Sequence, residues 1–189
     1  MRAVGRWESE VNMRSRTIMS ACALALGSAA VLATAAAQGK PPFVIEDNAL
    51  KMPGPVVFET GSEVLKPESD EVLIHAKDYL DDKSYVSLMR IEGHIDSTGA
   101  DSTGASEEGQ ALSERRALAV ARWLVKKGVD CKRLIPIGFG DTKPIAPNDT
   151  TENRALNRRM VFANAALRGR AIGGMPADGG GRVAGDPCK

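Results

Sequence analysis

Histidine is nearly missing from this chain: His75 and His94 are the only two in 189 residues. Neither has a partner at helical or Cys-x-x-Cys spacing, so no resident metal is expected. A surplus of one charge sign is also lacking. The formal net charge is +1, and residues 43–166 hold sixteen Lys/Arg against twenty Asp/Glu. No basic face that could hold a polyphosphate is visible, which excludes nucleic acid as a partner. Catalytic motifs are missing as well. There is no Gly-x-Ser-x-Gly elbow and no lone cysteine with a histidine to activate it. Gly138-Phe139-Gly140 lacks the third glycine of a dinucleotide fingerprint and reads as a turn. No pair of acids stands out for glycoside hydrolysis. No enzyme and no cofactor are expected.

What remains is the composition of a soluble globular protein, 43% hydrophobic and 26% charged. Its beginning reads as a targeting segment. Met1 to Asn12 is polar, but from Met13 a basic stretch with Arg14 and Arg16 precedes a charge-free run from Ile18 to Ala36. Ala35-Ala36-Ala37 then supplies small residues before Gln38. The expectation is a signal segment over 1–37, starting at Met13 and cleaved after Ala37. The competing reading is an uncleaved membrane anchor, because the charge-free run approaches a bilayer span. Lipidation at Cys22 does not fit, since the apolar run lies mostly after it. Export places the chain in an oxidising compartment, where Cys131 and Cys188 can bridge.

Residues 38–55 read as a linker and N-terminal segment. Val56-Val57-Phe58 begins an extended run. Lys66-Pro67-Glu68-Ser69 resembles a helix start, followed by an apolar stripe at Val72, Leu73, Ala76 and Leu80. A second strand runs through Val86, Leu88 and Ile91 to His94. Ser113 reads as the N-cap of a helix whose buried face carries Ala117, Val120, Ala121 and Leu124 and whose end is Lys126-Lys127-Gly128. Strands follow at Leu134–Ile137 and Arg159–Ala165, with a short helix at Thr150–Asn157 between them. Alternating strands and helices with short connections predict an α/β sandwich, with helices packed on one face of a sheet. From Leu167 onward glycine and proline dominate, and a disordered tail over 167–189 is expected.

Two local features point to a site. Arg116 is expected in the first turn of its helix, where the macrodipole disfavours cations. A ligand carboxylate would account for it, gripped by the guanidinium and the free N–H groups of the helix start. A solvated charge or a salt bridge to Glu108 or Glu114 is the plainer alternative. The other feature is Asp96 to Ala105, DSTGADSTGA, the same five residues written twice. It offers two carboxylates, Asp96 and Asp101, for the ammonium of a ligand.

Four stretches together resemble the peptidoglycan-binding OmpA-like domain: Glu92-Gly93-His94-Ile95-Asp96-x-x-Gly99, Leu112-Ser113-x-x-Arg116-Ala117-x-x-Val120, Gly138-x-Gly140-x-x-x-Pro144 and Asn157-Arg158-Arg159-x-Val161. That domain closes outer-membrane protein A, peptidoglycan-associated lipoproteins and the stator protein MotB. The resemblance covers roughly Val56 to Ala165. It implies a βαβαβ–αβ fold with helices on one face of a mixed sheet, over a domain of 56–166. It implies non-catalytic binding of peptidoglycan through the diaminopimelate of the stem peptide, held by a loop Asp and by Arg116. Leu112, Ser113 and Thr98 would line the pocket, with Phe58 and Thr60 at its rim and Arg159 as a further contact or a brace. The implied location is the periplasm or cell envelope of a Gram-negative-type bacterium, in association with the outer membrane. Peptidoglycan and other envelope proteins are the expected partners. A stator-like tether with an uncleaved helix, and a partner-binding module without wall affinity, are the alternatives. Ile95 and Gly109 depart from the family pattern, each replacing a polar residue near the pocket. The family's loop Asp precedes the helix Arg by about fifteen positions, which suits Asp101. The Gly-His half of the motif adjoins Asp96. A residue just after a strand is fixed by the sheet, which favours Asp96.

Overall fold

The computed structural model describes residues 42–97, 107–173 and 179–189. The signal segment expected over 1–37 lies outside them. Among the described residues no helix is long and apolar enough to cross a membrane. The chain forms β1 (Ile45–Glu46), β2 (Ala49–Leu50), α1 (Ser69–Asp82), β3 (Val86–His94), α2 (Glu107–Lys126), β4 (Leu134–Gly140), α3 (Thr151–Asn157), β5 (Met160–Leu167), β6 (Arg170–Ala171) and β7 (Arg182–Val183). These strands form one mixed sheet in the order β1-β2-β5-β3-β4-β7, with β6 added to β5. β3 and β4 run parallel, joined by α2 as a crossover helix, while β5 is antiparallel to β3.

The periodicities explain the layers. Leu73, Ala76 and Leu80 of α1 and Ala117, Val120, Ala121 and Leu124 of α2 are buried together against Met89, Ile91, Leu134 and Phe162 of the sheet. Alternation along β3 turns Arg90 and Glu92 to the opposite face. Two glycines set how closely α2 approaches. A Cβ at Gly93 would lie 2.4 Å from the Ser113 carbonyl oxygen, and one at Gly138 would lie 2.5 Å from Ser113 Oγ and from the Glu114 nitrogen. The helix backbone therefore rests directly on the ends of β3 and β4, which brings Arg116 to the edge of the sheet.

Three expectations are corrected. α2 includes Glu107, so Ser113 is not its N-cap. The Ser113 hydroxyl donates to the Gln110 carbonyl at 2.7 Å and accepts from the Gly140 N–H at 2.9 Å. Glu107 and Glu108 are the acids of the first turn. The run Val56–Phe58 is not a sheet strand; Phe58 makes an isolated bridge to Leu65, and the Ser69 hydroxyl bonds both the N–H and the carbonyl of Val57. Among the described residues the first strands are instead β1 and β2, in the stretch read as linker. Finally, the tail is tied down where it is described. β5 runs to Leu167, β7 pairs with β4, and a disulfide joins Cys131 to Cys188. The Ala184 N–H donates to the Pro136 carbonyl at 2.9 Å. Glycine content lowers the local preference for structure, but a covalent link and the open edge of β4 outweigh it.

Candidate functional site

A cavity of about 190 Å³ opens beside the C-terminal end of β3. Its walls come from the Pro55–Phe58 segment, His94 at the end of β3, Arg116 of α2, Ala155 of α3, and Arg158 to Met160 leading into β5. Three guanidinium groups thus line one small space.

Arg116 is buried at 5% exposure. Its Nε donates to the Ser62 carbonyl at 2.9 Å, and its guanidinium carbon lies 4.9 Å from the centre of the Phe58 ring. The ring face and the carbonyl fix the long side chain in place. Because α2 begins at Glu107, Arg116 stands in the third turn. The helix macrodipole acts within the first turn, so it neither penalises Arg116 nor lends it free N–H groups there. The residue singled out is placed at the cavity, but the reason that singled it out does not hold.

Asp96 is fully buried. The Ile95 N–H donates to the Gly140 carbonyl at 2.9 Å, which extends the pairing of β3 with β4 to the residue before Asp96. Its Oδ2 accepts from Arg158 Nη1 at 2.6 Å, with Arg154 Nε at 4.0 Å. Its Oδ1 is buried with no hydrogen-bond partner among the described residues. Asp96 does not itself line the cavity; Arg158, which it holds, does. Asp101 and Thr98 lie outside the described residues. Phe58 and Arg159 line the cavity, whereas Leu112, Ser113 and Thr60 do not. Leu112 and Ser113 are buried and Thr60 is exposed on a turn.

Two residues at the cavity, Arg158 and His94, belong to the motifs read from the sequence but were not expected to line the pocket. Arg158 is the ion-pair partner of Asp96 across 62 positions. His94 stacks on Phe139, ring centres 5.1 Å apart. Both its ring nitrogens are buried without hydrogen bonds among the described residues, and Glu92 Oε2 lies 3.7 Å from Nε2, beyond hydrogen-bond length. Burial pushes the imidazole below its ordinary pKa; Arg159 and Lys143 add to this, and Glu92 opposes it. Burial resists ionisation of Glu92, but His94 and then Arg90, whose Nε is 2.8 Å away, hold its carboxyl below the usual value. Arg159 donates to the carbonyls of Lys143 at 3.0 Å and Asn157 at 3.4 Å. Burial lowers its pKa, and Glu92 offsets part of that. The alternation of β3 was the available signal for His94, since it places that ring on the side of Glu92 at the strand end. Among the described residues no cluster of His, Cys, Asp and Glu could hold a metal.

The arrangement suits an anionic ligand with hydrogen-bond acceptors. Comparison with known proteins adds the context. Residues 57–158 match the OmpA family. The chain is 37% identical to the peptidoglycan-associated lipoprotein of Pseudomonas putida, over 61% of this chain and 65% of that protein. It is 35% identical to the probable lipoprotein YiaD of Escherichia coli, over 62% of this chain and 51% of that protein. The alignments therefore span under two thirds of these relatives' lengths. Among solved structures, a putative MotB-like protein from Desulfovibrio vulgaris is similar, with a TM-score of 0.54 and 28% identity, over 64% of this chain and 78% of that one.

Proposed function

The chain belongs to the OmpA family, and on that premise we propose that it binds peptidoglycan, non-covalently and without catalysis, through the diaminopimelate of the stem peptide. One observation carries this reading: Arg116 and Arg158 line one cavity at the end of β3, and Arg158 is ion-paired to Asp96 behind the wall. Diaminopimelate offers an ammonium and a carboxylate on the same carbon. Arg116 donates to the carboxylate as a planar fork. Oδ1 of Asp96, without a hydrogen-bond partner among the described residues, is the acceptor that the ammonium requires, reached when Arg158 moves aside. Asp96 is preferred to Asp101 because the sheet fixes its backbone. The resemblance to a protein named for its association with peptidoglycan supports the same ligand.

Each charge-assisted hydrogen bond contributes about 1.5–3 kcal/mol. A single stem peptide is then held modestly, and a wall carrying many of them retains the protein by avidity only where several copies or sites engage. This reading places the protein in the cell envelope, facing the wall. The test is co-sedimentation with purified peptidoglycan. Wild type and Asp101→Ala are expected to sediment with the wall, and Arg116→Ala and Asp96→Ala to stay in solution. Retention of folded Arg116→Ala at the wild-type level would sink the proposal.

A further inference from the structure

The cations of this cavity are not alike. Arg158 has the carboxylate of Asp96 at 2.6 Å, and on the neighbouring strand Arg90 has that of Glu92 at 2.8 Å. The hydrogen bonds of Arg159 go to two backbone carbonyls, those of Lys143 and Asn157. No carboxylate lies within ion-pair distance of it among the described residues. A guanidinium has five N–H donors, so the fork keeps donors beyond those two bonds. Carbonyls satisfy hydrogen bonds but do not neutralise a charge. Glu92 acts on Arg159 only at a distance, and the pKa of Arg159 stays depressed by burial.

Arg159 is also held in position. It follows Asn157, whose fully buried amide accepts from the N–H groups of Ile145 and Ala146 and donates to the Ala146 carbonyl and to Asn148. The bond from Arg159 to the Lys143 carbonyl fixes it against the same loop. A half-buried cation, set in a cavity wall and braced through neutral atoms, is arranged to receive an anion from outside the protein. The ammonium-plus-carboxylate head of diaminopimelate is neutral overall, so it leaves this charge unmatched.

We propose that Arg159 forms a second carboxylate subsite, and that the cavity selects stem peptides carrying a further free carboxylate over those in which it is amidated or capped. The proposal rests on the stem-peptide reading above. The second carboxylate can come from the α-carboxyl of the D-glutamyl residue or from the other carboxyl of diaminopimelate.

Calorimetry with three synthetic peptides decides the matter: the free-acid tripeptide L-Ala-γ-D-Glu-meso-diaminopimelate, its D-glutamyl amide, and its carboxamide at the second diaminopimelate carboxyl. One of the two blocked peptides is expected to bind wild type about tenfold or more weakly than the free acid, the loss of one charge-assisted bond. Which of them weakens identifies the source. Arg159→Gln is expected to bind the free acid at that weaker level with no further loss for the blocked peptide, while Arg159→Lys keeps part of the discrimination. Equal affinity of wild type for all three peptides overturns the subsite and leaves the stem-peptide reading intact. Absence of binding to any of them overturns both. Should Arg159→Gln fail to fold, the comparison of ligands on wild type decides alone.

Discussion

The Asp96–Arg158 pair makes an asymmetric prediction. Asp96 is completely buried, whereas the Arg158 side chain keeps 31% of its exposure. Removing the carboxylate by Asp96→Asn leaves a cation that water can still reach. The expected loss is that of one charge-assisted hydrogen bond, about 1.5–3 kcal/mol. Removing the cation by Arg158→Met leaves a carboxylate with no access to water, one oxygen already without a partner among the described residues, and an expected loss of about 3–5 kcal/mol. Arg154, at 4.0 Å from the same oxygen, can recover part of this and sets the value toward the lower end. The double variant removes both charges and should be more stable than Arg158→Met alone. Urea unfolding at neutral pH measures all three. Equal losses for the two single variants, or strict additivity in the double variant, would refute the claim that the buried carboxylate depends on Arg158.

Further expectations follow from other parts of the molecule. Gly93→Ala sets a Cβ against the Ser113 carbonyl at 2.4 Å; it should destabilise by about 1–3 kcal/mol in urea unfolding and weaken wall sedimentation by displacing Arg116. The Cys131–Cys188 link closes a separation of 57 residues; chain entropy sets its contribution at about 4 kcal/mol, read as the shift in urea midpoint between oxidised and reduced protein. Stability should also fall with pH in two stages. The folded pKa values of His94 and Glu92 both lie below their ordinary 6.5 and 4.5, so the unfolded chain binds more protons than the folded one as the pH falls. The contribution of His94 is complete above about pH 6.5 and is lost below it, and that of Glu92 is lost below about pH 4.5. His94→Phe keeps a ring against Phe139 and should abolish the first stage; an unchanged pH profile in that variant would contradict the assignment.

Much of the fold follows from local pattern. The apolar stripes of α1 and α2, the strand-like runs that become β3 and β4, and the four motifs are all properties of short windows, because burial imposes its period on whichever residues face the core. The same holds for Arg116 as a candidate, although for a different reason from the one that holds in the fold. What no window contains is the identity of partners distant in the chain. Ser113 looks like a cap until Gly140 is seen to donate to it, and the start of α2 shifts accordingly. Asp96 reads as a carboxylate offered to a ligand until Arg158 is seen paired to it. The glycine-rich tail looks unstructured until β4 offers it an edge and Cys131 a bond. Sequence by itself determined which faces are buried, which family the chain resembles and which charges are in reach of a site. Only the tertiary structure decided which of those charges are already matched, since pairing depends on where the whole chain brings its ends together.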